Sequence, residues 1–222
     1  MRHRWTVVAM LLGCLSGLVI SAGPANAELA GTARTDDGYG VRIGAADAPV
    51  QLEVFCEPQC PVCADFEATS NDQLVRELGA HRLAVTYRWL TFLDERRGND
   101  ASARLARALL LAGDPATAPI AYQNFVAEVY RRQQRTGDGP TPEQIAAMAR
   151  GSGVPGPIAD RIAAADPGSD GIDTAAVDAG NHRRLSGLDA GSPGTPTVYD
   201  VTANRVVDTE EPGWLDRLMQ AG

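Results

Sequence analysis

The sequence predicts an α/β domain in which a β-α-β unit is followed by a block of helices and then by a β-β-α unit. Residues 50–55 and 83–90 are rich in β-branched and aromatic residues, which is typical of strands. Residues 99–187 instead carry apolar residues at helical spacing, interrupted by glycine- and proline-rich connections. Residues 197–201 return to a strand-like composition. The block of helices over about residues 99–187 is therefore an insertion between two α/β halves.

The first half of this pattern places a turn with three cysteines between a strand and a helix. Residues 39–43 predict a short edge strand ahead of the strand at 50–55. Pro61 suits the first turn of the next helix, because proline has no N–H to leave unpaired there. We expect this helix to continue to about Leu78 and to end at Gly79. The following strand completes the β-α-β unit.

Five helices are expected in the insertion. They cover residues 101–112, residues 119–135, a helix that starts at Thr141, a helix around Ile158 and Ile162, and residues 172–185. Thr141 and Gln144 form the pattern of a capping box, with Pro142 at the first helical position. After the insertion, strands at 197–201 and 205–208 precede a last helix that starts at Pro212.

The N-terminal segment has the features of an export signal. Arg2 and Arg4 precede an apolar stretch over residues 6–20, and Ala25-Asn26-Ala27 supplies the small residues that signal peptidase recognises. The stretch is short for a membrane span, which needs about 20 residues, and a retained anchor is the alternative. The expected organisation is a signal peptide over residues 1–27, a flexible leader over residues 28–38 and one domain over residues 39–222.

Cys14 allows two fates for the N-terminus. Leu11-Leu12-Gly13-Cys14 resembles a lipobox, in which Cys14 would carry a lipid and tether the domain to the outer face of a membrane. In the other case Cys14 is removed with the signal. Both place the domain outside the cytoplasm, secreted or in the cell envelope, where disulfides form and persist.

Composition and charge exclude several classes of function. With 44% hydrophobic and 22% charged residues, the chain is globular. Its formal net charge is −8, and removal of residues 1–27 takes away two Arg and no acid, which gives −10. This charge disfavours binding to nucleic acid and to anionic lipid. All 20 basic residues are Arg, so a mechanism that needs a lysine is excluded.

The sequence Cys60-Pro61-Val62-Cys63 falls at the predicted junction between strand and helix. A cysteine at a helix N-terminus meets unpaired N–H groups and the positive end of the helix dipole, and both favour the thiolate. We therefore expect Cys60 to be an exposed nucleophile. Cys63, one turn further into the helix, is expected to be more buried and to resolve mixed disulfides. Such a pair needs no bound cofactor.

Neighbouring residues allow more than one interpretation. Cys56 is most simply a small buried hydrophobe, but it could also form a competing disulfide with Cys60 or an intermolecular one. Glu53 and Glu57 are expected to be solvated surface acids. Val62 brings neither a hydrogen-bond donor nor a charge to the cysteines, so the helix N-terminus alone would have to stabilise a thiolate.

Thr195-Pro196 stands at the start of the strand predicted after the insertion. An X-Pro bond reaches the cis form at modest cost. On local sequence alone, Pro196 is therefore either cis or a trans proline that opens an edge strand.

Together these motifs resemble the DsbA-like branch of the thioredoxin superfamily, in particular its secreted actinobacterial members. The matching segments are Asp47-Ala48-Pro49-Val50, Phe55, Glu57-Pro58-Gln59-Cys60-Pro61-Val62-Cys63, Phe66-Glu67, Phe92-Leu93-Asp94, Gly194-Thr195-Pro196 and Gly213-Trp214-Leu215. The resemblance implies a thioredoxin fold with an inserted helical subdomain.

The resemblance also implies a function. Cys60 and Cys63 would exchange disulfides with Cys-containing secreted or unfolded proteins, in the oxidising direction. Pro196 would be cis and face the two cysteines, and Thr195 would present backbone groups to an extended substrate. A membrane quinone-linked oxidase would recycle the pair if it works as an oxidant, and a membrane reductant pathway would recycle it if it does not.

Two positions depart from the family. The buried acid that the family often carries below the resolving cysteine aligns with Val54, and Glu53 is shifted to the opposite strand face. Val62 replaces the His or aromatic residue common between the proline and the second cysteine. We therefore expect a less acidic Cys60 and a less oxidising pair than in the most oxidising family members.

Three alternative functions fit parts of the sequence. Cys56, Cys60 and Cys63, with His182, could bind Zn²⁺ or Cu⁺. The same cysteine spacing occurs in radical enzymes with a [4Fe–4S] cluster, although this chain is too short for the barrel that they use. A non-catalytic, chaperone-like protein would retain the two cysteines as a relic.

Overall fold

The computed structural model describes Met1 and residues 31–134, 136–166, 170–188 and 194–221. Within these ranges the chain forms a six-stranded sheet and eight helices. The strands are β1 (Gly31–Arg34), β2 (Gly40–Gly44), β3 (Val50–Cys56), β4 (Leu83–Trp89), β5 (Thr197–Asp200) and β6 (Arg205–Val207). The helices are α1 (Pro61–Gly79), α2 (Leu93–Arg97), α3 (Ala101–Ala112), α4 (Pro119–Arg131), α5 (Pro142–Gly151), α6 (Gly156–Ala164), α7 (Thr174–Ser186) and α8 (Trp214–Ala221).

The centre of the sheet is the strand pair that the sequence predicts. The strand order is β1-β2-β4-β3-β5-β6. β3 runs parallel to β4, from the pair Val50–Leu83 to the pair Cys56–Trp89, and antiparallel to β5. Parallel neighbours require a crossover connection, which α1 supplies. Because β3 is central, the turn that follows Cys56 leaves the sheet between two neighbouring strands.

Two expectations for the N-terminal side of the sheet are wrong. Gly31–Arg34, expected to belong to a flexible leader, forms the edge strand β1, in which Thr32 is buried. β2 therefore lies between β1 and β4 and is not an edge strand. The polar composition of the leader gave no sign of this pairing, because a strand ladder is made by backbone groups. The predicted signal peptide beyond Met1, with Cys14, lies outside the described residues. In the part of the chain that is described, no helix combines the length and apolarity of a membrane span.

The block of helices is present, with small shifts at its boundaries. The predicted capping box is formed, since the Gln144 N–H donates to the Thr141 hydroxyl and the Thr141 N–H donates to the Gln144 side chain. α4 ends at Arg131 rather than at residue 135, and α7 begins behind an Asp173 cap. The short helix α2 has only five residues, too few for a periodic pattern to indicate it.

Packing near both ends of α1 holds this helix in place. Leu74 and Leu78 are buried in the main core, and Phe66 stacks on Trp214 of α8 with ring centroids 6.0 Å apart. Aromatic stacking of this kind adds to the area that the two rings bury. The C-terminal helix therefore supports the helix that carries Cys63.

Glu53 in β3 is buried between two arginines, so the expectation of a solvated acid is wrong. Arg88 of β4 donates to its carboxylate at 2.7 Å, and Arg184 of α7 donates to both carboxylate oxygens at 2.7 and 2.8 Å. The Glu53 side chain is only 6% exposed. The ion pairs connect the last helix of the insertion to the central strand.

Substitution of Glu53 is expected to destabilise the domain. Glu53→Ala leaves the buried Arg88 without its main partner, which should cost about 3 kcal/mol or more in the free energy of unfolding. Urea unfolding followed by circular dichroism measures this. Asp72→Asn, at an exposed position of α1, is the control and should change stability by less than about 0.5 kcal/mol. Equal stability of the two variants would contradict the structural role of the ion pairs.

Candidate active site

The turn between β3 and α1 places Cys60 at the N-terminus of α1. The Cys60 N–H donates to the Glu57 carbonyl at 3.0 Å, which closes the turn. Cys60 is the N-cap residue in an extended conformation, and Pro61 begins the helix. The Gln133 side chain donates to the carbonyls of Pro58 and Cys60, both at 3.0 Å. The backbone of the turn is therefore held from within and from the end of α4.

Gln59 is the centre of a second set of contacts that hold this turn. Its side-chain nitrogen, which carries two hydrogens, lies 2.8 Å from Asp94 Oδ1, 3.0 Å from Asn99 Oδ1 and 2.9 Å from the Ser102 hydroxyl. Arg97 donates to the Gln59 carbonyl at 2.9 Å. These partners belong to α2, α3 and the residues between them. Sequence analysis did not single out Gln59, because its partners are distant in sequence.

The two cysteines of the Cys60–Cys63 pair are both buried. Cys63 is 0% exposed, as expected for the inner cysteine, but Cys60 is only 7% exposed and is less accessible than expected. The Cys60 thiol donates to the Thr195 carbonyl at 3.4 Å. Val62, between them, is 58% exposed. Because valine has no polar side-chain atom, it offers neither thiol a hydrogen bond.

The Thr195–Pro196 peptide bond is cis, as the resemblance implies. It lies immediately before β5, whose first residue Thr197 pairs with Phe55 of β3. This pairing brings the Thr195 carbonyl to the Cys60 thiol. The structure thus brings together the two motifs that lie more than 130 residues apart in the sequence.

The pKa of the Cys60 thiol is raised, contrary to the expectation for a helix N-terminus. Its hydrogen bond with Cys63 is the largest cause, and burial is the second. Hydrogen bonds with Thr195 and with the Cys63 backbone N–H lower the pKa by less. Burial also raises the pKa of Cys63, and a hydrogen bond with Cys56 adds to this effect. The hydrogen bond between the two thiols, together with desolvation, therefore makes the Cys60 thiolate unfavourable at this site although the residue caps a helix.

Cys56 contacts Cys63. It is the last residue of β3, it is 0% exposed, and the cysteines at positions 56, 60 and 63 are all free thiols. Its thiol interacts with the Cys63 thiol and with the buried Tyr130 hydroxyl, and after burial it is a further cause of the raised pKa of both groups. The Tyr130 hydroxyl donates its hydrogen to the Glu57 carbonyl at 3.3 Å. The interpretation of Cys56 as a small buried residue fits this position.

Glu57 is fully buried, so the expectation that it is a solvated surface acid is wrong. Its carboxylate accepts hydrogen bonds from the Gln59 N–H at 2.6 Å and from the Ser102 hydroxyl. Burial raises the pKa of Glu57 to about 7, and the nearby groups of Asp94 and Cys60 act in the same direction. The residue is therefore a carboxyl group that exchanges its proton near neutral pH beside Cys60.

Glu67 is a second buried acid, whose role sequence analysis missed. It lies one helical turn after Cys63, and burial raises its pKa to about 7. The Tyr87 hydroxyl oxygen lies 3.0 Å from Glu67 Oε1 and 2.8 Å from Gln123 Oε1. One hydroxyl hydrogen cannot serve both oxygens, whereas a protonated Glu67 can donate to Tyr87 while Tyr87 donates to Gln123. The geometry therefore favours the protonated acid.

Within the described ranges, no group of three or more His, Cys, Asp or Glu side chains is arranged to hold a metal ion. His182, considered above as a metal ligand, instead contacts Asp178 at 3.2 Å and the ring of Phe92. The described geometry gives no support to a Zn²⁺, Cu⁺ or iron–sulfur site formed by Cys56, Cys60, Cys63 and His182.

The sequence of this chain is similar to a known protein family and to part of a curated protein. A family model described as Thioredoxin matches residues 36–177. Among curated proteins, the serine/threonine-protein kinase PknE of Mycobacterium tuberculosis is 30% identical over 185 residues, which are 81% of this chain and 31% of the kinase. PknE of Mycobacterium bovis matches with the same figures. The chain thus spans about a third of the length of the curated relatives it matches.

Solved structures of thiol–disulfide oxidoreductases share the fold. MdbA from Corynebacterium diphtheriae is 19% identical, with a TM-score of 0.67 over 90% of this chain and 100% of that one. MdbA from Corynebacterium matruchotii is 17% identical, with a TM-score of 0.69 over 86% and 93%. Oxidised DsbA from M. tuberculosis is 19% identical, with a TM-score of 0.64 over 82% and 91%.

A protonated Glu67 predicts a particular pH dependence of stability. Its pKa is about 7 in the folded chain against an ordinary value of 4.5, so the stability linked to its proton is present below 4.5 and is lost as the pH rises through 7. The free energy of unfolding of Glu67→Gln minus that of wild type should therefore be larger at pH 8 than at pH 5, by up to about 3 kcal/mol. Urea unfolding at both pH values measures the difference.

Glu95→Gln, at an exposed position, is the control and should show the same difference from wild type at both pH values. If Glu67→Gln behaved in the same way, the assignment of a protonated Glu67 would be wrong.

Proposed function

Since this chain belongs to the thioredoxin family and has the fold of DsbA-type oxidoreductases, we propose that it is an extracytoplasmic thiol–disulfide oxidoreductase. Its redox carrier is the pair Cys60 and Cys63, and it needs no bound cofactor. The observation that carries the proposal is the contact of the Cys60 thiol with the carbonyl of Thr195, next to a cis proline. This contact supports the proposal, because a reactive Cys60 sulfur next to Thr195 would meet a substrate that pairs with this backbone segment in an extended form.

The reaction is an exchange of disulfides in two steps. In the first, a substrate thiolate attacks Cys60 of the oxidised pair, a new bond forms between the two sulfurs, and Cys63 leaves with both electrons of the broken bond. In the second, another thiolate of the substrate attacks the substrate sulfur that is bonded to Cys60, and Cys60 leaves as a thiolate. The substrate is oxidised to a disulfide and the enzyme pair is reduced.

The buried acids supply protons for this exchange. Cys63 leaves into a buried environment that raises its pKa, so it takes up a proton. Glu57 and Glu67 have pKa values of about 7 and lie beside the turn of Cys60 and one helical turn beyond Cys63. A carboxyl group with such a pKa gives up and regains a proton readily near neutral pH.

The proposed direction is oxidation of substrates, by a pair of moderate oxidising strength. A strongly oxidising pair has a reduced form that is stabilised, commonly as a thiolate of low pKa. Here the pKa values of both thiols are raised, and Val62 supplies no stabilising charge. The substrates are Cys-containing secreted or unfolded proteins, and the partner that reoxidises the pair is a quinone-linked membrane oxidase.

Substitution of the cysteines tests the assignment of the nucleophile. Cys60→Ser should abolish oxidation of a reduced two-cysteine peptide, because a hydroxyl oxygen in place of the sulfur cannot form a mixed disulfide. Cys56→Ser, the matched control at the end of β3, should keep most of the activity, because Cys56 is fully buried and out of reach of a substrate. Retained activity in Cys60→Ser would mean that another sulfur is the nucleophile.

The reduction potential tests the direction. Titration in glutathione buffers, with alkylated thiols located by mass spectrometry, should show one two-electron transition of Cys60 and Cys63. Its midpoint is expected to be more negative than about −120 mV, the value of a strong oxidant, and less negative than about −270 mV. A midpoint near −270 mV would indicate a reductant, and the absence of a transition would refute the proposed function.

A further inference from the structure

We propose that the groove beside Cys60 selects substrates with a basic side chain close to the reacting cysteine. This inference rests on the proposed function and deepens it, since it names a class of substrate segment. The groove has a volume of about 390 Å³. Its lining includes Val62, Asp65, Thr69, Thr195, Pro196 and Glu210.

Three segments form the groove. Val62, Asp65 and Thr69 recur at helical spacing and form a wall along one face of α1. Thr195 and Pro196 form its base, where the Thr195 carbonyl meets the Cys60 thiol. Glu210, after β6, lies on the side facing α1. A peptide that reaches Cys60 through this groove therefore passes between α1 and the segment after β6.

The groove is acidic, and no described residue neutralises its charge. Asp65 and Glu210 are both exposed, and in the described part of the chain neither carboxylate has an ion-pair or hydrogen-bond partner. Among the described residues, the groove lining contains no Arg or His. By contrast, Glu211, the next residue, is paired with Arg217. Two unpaired carboxylates on opposite sides of a groove favour a cation between them.

The apolar part of the groove lining indicates what else the substrate segment should contain. The exposed Val62 offers an apolar contact next to Cys60. Side chains two residues apart in an extended peptide lie on the same face about 7 Å apart. The preferred segment is therefore extended, with its cysteine at Cys60 and a Lys or Arg within about two residues of it.

The test compares three reduced two-cysteine peptides that differ only in Arg, Gln or Glu two residues from one cysteine. Their oxidation by the oxidised protein is followed in single-turnover reactions. Each rate constant is divided by that of the same peptide with hydroxyethyl disulfide, a neutral oxidant, because a neighbouring charge also changes the reactivity of the peptide thiol. The normalised rate for the Arg peptide should exceed that for the Glu peptide by about fivefold or more at low salt. The ratio should fall towards one in about 0.5 M salt.

A matched pair of double variants separates the groove from the net charge of the protein. Asp65→Asn with Glu210→Gln should reduce the Arg-to-Glu ratio to less than about twofold. Asp47→Asn with Glu143→Gln removes the same charge from exposed positions outside the groove, and should leave the ratio unchanged. Asp47 precedes β3, at the end of the strand opposite the cysteines.

The outcomes distinguish the inference from the proposed function. If all three peptides react at the same normalised rate, or if both double variants lower the ratio equally, selection by the groove is refuted while the oxidoreductase activity stands. If no peptide is oxidised, the proposed function is refuted, and the inference with it.

Discussion

The position of Cys60 depends on the hydrogen bonds that hold the turn between β3 and α1. Gln59 connects this turn to Asp94, Asn99 and Ser102, and Gln133 holds its carbonyls from the end of α4. All of these partners lie in or beside the inserted helices or in α2. The insertion therefore holds the turn that carries Cys60, in addition to covering the sheet. A turn that is held from several sides keeps a sulfur in place while its bonding partner changes.

The electrostatic character of the site follows from burial without a compensating cation. The groups that shift the pKa of Cys60 are a thiol, a threonine and a backbone N–H, and the helix N-terminus does not offset the loss of water. Arginines are present nearby but serve other groups: Arg97 binds Gln59, and Arg88 and Arg184 bind Glu53. Thiolates are consequently unfavourable here, and this property supports the proposal of moderate rather than strong oxidising power.

The sequence was sufficient for the elements that local patterns control. The β-α-β unit, the capping box at Thr141 and the pairing of the CxxC motif with Thr195-Pro196 follow from periodicity, turn chemistry or resemblance. Burial of acids was not predictable in this way. Ser102 binds Glu57 across 45 residues, and Arg184 binds Glu53 across 131 residues. Polar side chains that look solvated in a strand or turn become buried when a distant helix supplies their partners.

Under the proposed function, the three buried thiols and two buried acids would couple the transfer of electrons to the transfer of protons. Reduction of the pair by two electrons alone would create two negative charges beside Glu57, in a region that burial already makes unfavourable for one. Because both acids have pKa values of about 7, protons are available within the site at neutral pH. The neutral dithiol is therefore the preferred reduced form. The low exposure of Cys60 and the contact between Cys56 and Cys63 are compatible with that form, since a neutral thiol can be buried and can donate a hydrogen bond.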